Sequence, residues 1–369
     1  MLNTLLPGFK VLDLSQYIPG PYATLLLSDM GADVIKVEPP QGDPMRTFGP
    51  VADDGLSPLY RVLNGNKTIV HLDLKTAEGK AELERLVQQA DALVESFRPG
   101  VLPRLGFGPE RLLSLNPRLI HCALSGYGQT GPLALQAGHD LTYMALTGAL
   151  SLMGTEETPV IPFPPIADHA GAMHAVMAIL AAAVRQSREG VGASIDVSLF
   201  ESALGMNALG LTLGLTGPVL PETDLLNGGA ACYRLYRCKD GRFAALAPLE
   251  PKFWRAFCLA VERPDWIDRQ GEPMPQTALI AEIAALFLTR TLDEWSAVLT
   301  PVDCCFDPVL TPVESLRHPH VVDRGYVKTG SAGGGMAEVV FPARVNGLPP
   351  VERRPFRQVG EGAVSTLWR

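Results

Sequence analysis

At 369 residues the chain exceeds the usual single domain, and 47% hydrophobic against 19% charged residues describes a folded chain with a large core, which excludes a disordered or fibrous protein. A net charge of −8 without a basic cluster excludes nucleic acid or an anionic membrane surface as the main partner. Small molecules remain, anionic ones included, since a pocket needs only a few local cations and helix N-termini.

The opening MLNTLLPGFKVLDLS lacks a basic stretch leading into a long apolar run, so no signal peptide is expected. No apolar run is expected to reach the roughly 18 residues of a spanning helix. The six cysteines show neither CxxC spacing nor closely paired histidines, so no metal site and no disulfide frame is signalled. The expectation is a cytoplasmic metabolic protein with reduced thiols, free of membrane.

The first half alternates short β-rich runs with helical patterns, the mark of βαβ units and a parallel sheet covered on both faces. Residues 11–14 read as a strand and 22–30 as a helix stopped by Gly31. Residues 33–37 and 69–74 follow as strands, then 76–89 as an amphipathic helix with Thr76 as N-cap and Glu78, Glu82 and Glu84 near its positive end. Residues 92–95 and 119–123 continue the strands around a short helix over 109–115. The run 168–188, rich in Ala, Met and Leu, predicts a buried helix ended by Gly190, and 195–197 the last strand of this half.

Residues 200–215 predict one long apolar helix leaving the sheet, with a linker from Gly217 to Gly229. The division expected is a Rossmann-like large domain over 1–199, a linker helix over 200–227, a smaller α+β domain over 228–313 and a return segment over 314–369. Within the small domain 243–246 reads as a strand and 253–261 and 279–288 as helices. The tail, with its prolines and the glycines 333–335, is expected to close as a strand and loop on the large domain.

Gly126-Tyr127-Gly128-Gln129-Thr130-Gly131 spells GxGxxG after a strand, but Pro132 follows at once and no acidic residue closes a second strand about 20 residues on, so a dinucleotide site is rejected. His169 and His174 stand five apart on one helix, unlike a metal pair, and read as structural or pocket-lining.

The run Gly31-Ala32-Asp33-Val34-Ile35-Lys36-Val37-Glu38-Pro39-Pro40, followed by Gly42-Asp43-Pro44-Met45-Arg46, resembles the family III CoA-transferases of CaiB/BaiF type and their racemase relatives. Leu72-Asp73-Leu74-Lys75, Val94-Glu95-Ser96-Phe97-Arg98-Pro99-Gly100, Ser125-Gly126-Tyr127-Gly128, Asp196-Val197-Ser198-Leu199-Phe200-Glu201 and Asp307-Pro308-Val309-Leu310 continue it in order. The resemblance runs from about residue 10 into the final quarter. It implies a Rossmann-like domain, a small domain, and two copies of the chain interlocked like linked rings.

Gly138-His139-Asp140 and Leu249-Glu250-Pro251-Lys252-Phe253-Trp254 are similar to the racemase branch. The resemblance then implies that His139 and Asp168 face opposite sides of the α-carbon of a 2-methylacyl-CoA thioester, one removing and one returning a proton. Histidine suits this with an ordinary pKa of about 6.5, while an aspartate needs burial to reach that range. Asp140 is expected to orient His139 or to bond Asp168, Glu250 to hold a water or a supporting contact, and a backbone N–H at the start of the Asp168 helix to meet the oxyanion. No cofactor is implied beyond the CoA moiety, for which the family pattern points to Ile18, Leu72, Lys75, Ser96, Phe97, Arg98 and Arg104.

Two departures stand out. Several relatives carry arginine where this chain has Pro39, so a phosphate contact is lost or passes to Arg46. His169-Ala170-Gly171-Ala172 replaces a stretch with an aromatic residue and more glycine, which alters the acyl pocket. The alternative is a CoA-transferase in which Asp168 forms a mixed anhydride, and a third reading is an acyl-CoA carrier without turnover. The residues alone also allow Asp168 as a plain helix cap, His139 as a core histidine and Glu250 as a solvated helix opener.

Overall fold

Short runs of β-branched and aliphatic residues separated by helical segments build a doubly wound sheet. The structure, a computed structural model, describes residues 2–330 and 334–368, so Gly333 of the tail lies outside it. In chain order come β1 (Lys10–Leu14), α1 (Pro19–Asp29), β2 (Asp33–Glu38), α2 (Pro58–Asn64), β3 (Thr68–His71), α3 (Ala77–Val87) and β4 (Ala92–Glu95). They continue with α4 (Val101–Arg104), α5 (Pro109–Leu115), β5 (Ile120–Ser125), α6 (Asp140–Leu146), α7 (Ile166–Glu189), β6 (Ala193–Ser198) and α8 (Leu199–Met206). Next are α9 (Ala208–Gly214), β7 (Arg234–Arg237), β8 (Phe243–Leu246), α10 (Pro251–Ala260), α11 (Thr277–Phe287), α12 (Leu292–Leu299), β9 (Phe306–Pro308) and α13 (Pro312–Arg317). The tail adds α14 (Pro319–Arg324), β10 (Val327–Lys328), β11 (Glu338–Val339) and β12 (Arg357–Val359).

The chain divides into two units, Met1–Met144 with Phe163–Met206 and His318–Arg369, and Ala145–Pro162 with Asn207–Arg317. In the first, seven strands lie in the order β12-β3-β2-β1-β4-β5-β6, and every neighbouring pair is parallel. Helices on both faces explain why β1, β2, β4 and β5 are buried along almost their whole length. One face packs Leu12, Ile35, Val70 and Leu93 against Leu83 and Leu86 of α3 and Leu112 of α5. Each such side chain contributes about 1.5–3 kcal/mol when fully buried.

Thr76 caps α3 as expected, its hydroxyl accepting from Gly79 N–H at 3.1 Å. Helix α7 begins two residues earlier than the composition suggests, at Ile166, and ends where Gly190 takes φ 73°. Among the described residues it is the one helix long and apolar enough to cross a membrane by length and composition, contrary to the sequence expectation. Ala167, Ala170, Gly171, Ala172, Ala175 and Ile179 are buried where α7 packs on α1, α8, β5 and β6.

The long helix expected over 200–215 is interrupted at Asn207, which leaves α8 and α9 as separate helices. The Asn207 side chain donates to Thr147 O at 2.9 Å, the kind of side-chain to backbone bond that competes with helix. Residues 145–162 thereby belong with the second unit, where Leu152 also lies against Gly210, so the sequence-based assignment of this stretch to the large domain is corrected. The second unit carries the antiparallel sheet β7-β8-β9 and an aromatic core of Tyr236, Trp254, Phe257, Trp266, Phe287 and Trp295. The indoles donate inward, Trp254 to Trp266 O at 3.0 Å and Trp295 to Phe287 O at 2.9 Å.

Candidate active site

From β1 the sheet grows to β2 and β3 on one side and to β4, β5 and β6 on the other, so the loops after β1 and β4 part at a switch point and open a crevice at the strands' carboxyl ends. A cavity of about 180 Å³ lies there, walled by Gln16, Glu38, Pro39, Leu72, Lys75 and Phe97 among others. Ser96 stitches the two loops together, its hydroxyl accepting from Gln16 N–H at 3.0 Å. Ile18 stands at the start of α1, its carbonyl accepting from Tyr22 N–H at 2.9 Å. Tyr17 before it takes φ 63°, and a Cβ at Gly20 would lie 2.1 Å from the Ser15 Cβ, so this turn tolerates little change.

Of the seven positions implied for CoA, Leu72, Lys75 and Phe97 line the cavity and Ser96 shapes it. Arg98 and Arg104 are exposed in the chain just after β4, outside the lining set. Pro39 lines the cavity without offering a cation. Arg46 does not take over there: Glu38 holds its Nε at 2.7 Å, Tyr60 lies under the guanidinium at 4.6 Å, and the residue lines a separate cavity of about 520 Å³ with Gln41, His71 and Gln358.

Beneath the crevice lies a buried charge network that the sequence reading did not assign. Lys36 Nζ reaches Asp43 at 2.7 Å and Ser15 O at 2.9 Å. Lys67 Nζ reaches Asp13 at 3.0 Å, Pro21 O at 2.8 Å and Asn64 Oδ1 at 3.1 Å. Burial by itself raises the Asp13 carboxyl, but Lys67 and Lys36, with hydroxyl bonds from Ser15 and Thr24, outweigh it and hold it well below the usual range. Burial likewise brings Lys67 down to about 8 despite Asp13. The signal available in the sequence was Asp13 and Lys36 interrupting apolar strand runs.

The second cluster stands at the start of α6 and α7. His139 precedes α6 and is exposed, its N–H donating to Thr142 Oγ1 at 3.0 Å. Asp140 opens α6, and its Oδ1 accepts from the backbone N–H of Asp168 at 3.0 Å. Asp168 is the third residue of α7 rather than its cap, because Pro165 holds that position. Burial, and then the charge of Asp140, pushes the Asp168 carboxyl up to about 7. The Asp168 N–H that would start an oxyanion site is therefore taken up by Asp140 in this structure.

Tyr143 was missed by sequence reasoning. It is buried, and burial, Tyr127 and Asp168 push its phenol up to about 12 while Arg98 opposes them. The available signal was its spacing, one helical turn after Asp140. Glu250 belongs to the second unit, where it is exposed at the N-cap position of α10 and makes no side-chain cap bond.

A profile described as CoA-transferase family III matches residues 6–361. Human alpha-methylacyl-CoA racemase is 34% identical over 363 residues, covering 96% of this chain and 91% of its own. A succinyl-CoA–D-citramalate CoA-transferase of Chloroflexus aurantiacus is 32% identical over 328 residues, covering 86% of this chain and 82% of its own. The crystal structure of a CaiB/BaiF family protein from Brucella suis superposes with a TM-score of 0.85 at 28% identity, covering 99% of this chain and 98% of its own.

Proposed function

Because the chain belongs to CoA-transferase family III, we propose that it inverts the α-carbon of 2-methylacyl-CoA thioesters by removing and returning one proton. The observation that carries this reading is the pairing of Asp140 with the backbone of a half-buried Asp168 whose carboxyl sits near 7. A group with that pKa exchanges protons efficiently at neutral pH, whereas a nucleophile for acyl transfer must stay ionised.

In one direction neutral His139 takes the α-proton, the electron pair moves into the thioester carbonyl as an enolate, and the protonated Asp168 delivers a proton to the opposite face. The product is the other enantiomer, with His139 protonated and Asp168 ionised. The reverse reaction starts from that state, and solvent exchange resets the pair. Asp140 positions Asp168 through its N–H, and the buried Tyr143 lies near enough to feel the charge of Asp168. Lys75, Arg98 and Arg104 meet the CoA phosphates, and the scheme needs no further cofactor. The working form proposed is a homodimer of interlocked chains, supported by the exposed Met173, Met177 and Val184 along α7.

The test is a single 2-methylacyl-CoA enantiomer incubated with the protein in deuterated water without any acceptor acid. Deuterium uptake at the α-carbon together with loss of optical purity is the expected outcome. The second reading, CoA transfer through an Asp168 anhydride, is favoured by the transferase from Chloroflexus at 32% identity. Absence of exchange, with CoA appearing on an added carboxylic acid, would establish it instead.

A further inference from the structure

His121 on β5 is 4% exposed, and neither of its ring nitrogens has a hydrogen-bond partner. A neutral imidazole carries one N–H, and a buried donor left unpaired is costly, so its place in the core calls for a reason. The carboxylate beside it is Glu95, itself 4% exposed at the end of the adjacent strand β4. Leu93 pairs with His121 and Glu95 with Ala123 in the parallel register, so His121 and Glu95 project from the same face of the sheet. The separation from His121 Nε2 to Glu95 Oε1 is 3.7 Å.

The other oxygen of Glu95 faces the crevice. It accepts the backbone N–H of Phe97 at 2.7 Å, and the neighbouring Ser96 hydroxyl accepts that of Gln16 at 3.0 Å. Phe97 and Gln16 are walls of the cavity at the switch point. Glu95 therefore stands between the core at His121 and the Phe97 wall of the groove, bonded to the second and 3.7 Å from the first.

We propose that His121 is a positioning residue for the CoA moiety: its ring N–H steadies the Glu95 carboxylate in the rotamer that fixes the Phe97 backbone. The gap of 3.7 Å lies beyond a formed hydrogen bond, and closing it by roughly 0.5 Å completes one. The effect of this contact is expected in CoA affinity, through the Phe97 wall that Glu95 holds. The proposal rests on the reading of this crevice as the CoA site.

The experiment is calorimetric titration of the full-length protein with free CoA, for wild type, His121→Phe, His121→Gln, Glu95→Gln and the double variant His121→Phe/Glu95→Gln. His121→Phe and Glu95→Gln are each expected to weaken CoA about tenfold, and the double variant to be no worse than about twofold below either, since one path is cut in both. His121→Gln keeps a donor and recovers most of the affinity, KM for the thioester rises in step with Kd at unchanged kcat, and melting temperatures stay close to wild type. CoA binding within about twofold of wild type in His121→Phe, or additive loss in the double variant, overturns the proposal. So does a failure of His121→Gln to restore binding. If His121→Phe does not fold, Glu95→Gln and His121→Gln decide the matter. A wild-type protein that binds no CoA overturns the crevice reading and this proposal with it, an outcome distinct from normal binding that ignores His121.

Discussion

Two groups of buried or half-buried charges lie in the same unit and behave in opposite ways. Around Asp13, Lys36, Asp43 and Lys67 each charge meets the opposite sign, and hydroxyls and carbonyls complete the bonding. Around Asp140 and Asp168 two carboxylates share a corner, and one is lifted to about 7. A balanced network pairs each buried charge with its opposite and serves as framework for the crevice. An unbalanced pair leaves a proton free to move at neutral pH, which is what proton-transfer chemistry requires.

The contrast breaks most severely if the framework is cut. Lys67→Met strands Asp13 as an unpaired buried charge, and urea unfolding is expected to show a loss of about 3–5 kcal/mol. A loss under about 1 kcal/mol would mean that the network is not the tightly coupled framework its distances indicate.

The same change on the chemical side is expected to cost activity and not stability. His139→Ala should lower α-hydrogen exchange by a factor on the order of 10²–10⁴, with free CoA bound about as tightly as by wild type. Exchange that survives in that variant removes His139 from the reaction.

Asp168 sharpens the contrast through pH. Its folded pKa of about 7 lies above the unfolded value of 3.8, so the folded state holds this proton more tightly. Its favourable contribution is present below the unfolded pKa and is lost as pH rises through about 7. Asp168→Asn removes that dependence. The variant is expected to gain stability over wild type from pH 5 to pH 8 and to level off above, by about 1–2 kcal/mol once solvent screening is allowed for. A gain independent of pH contradicts the raised carboxyl.

The smallest effect is expected at Glu250, an exposed carboxylate outside both groups. Glu250→Gln should shift the unfolding free energy by less than about 0.5 kcal/mol in the same urea assay. A larger loss would reveal a partner for this side chain.

Much of the first unit was legible because its periodicity is local. Strands β1, β2, β4 and β5 are nearly continuous apolar runs, and Thr76 and Gly190 mark helix ends through bonds to residues three or four away. The break at Asn207 was not legible, since it depends on Thr147, sixty residues earlier in the chain. The family pattern named Leu72, Lys75 and Phe97, which line the crevice, and Asp168, which lies beside Asp140, while neither Tyr143 nor His121 stood out in it.

The sequence by itself determined the α/β class and most of the parallel-sheet elements, because propensity and hydrophobic period act over a few neighbouring residues, while the candidate residues came from the family resemblance. Only the tertiary structure decided which charges meet. Asp13 with Lys67, Lys36 with Asp43, and Asp140 with the N–H of Asp168 are set by strand order and helix placement. Protonation at Asp13, Lys67 and Asp168 follows burial and neighbouring charge, and both exist only once the strands have paired and the helices have packed.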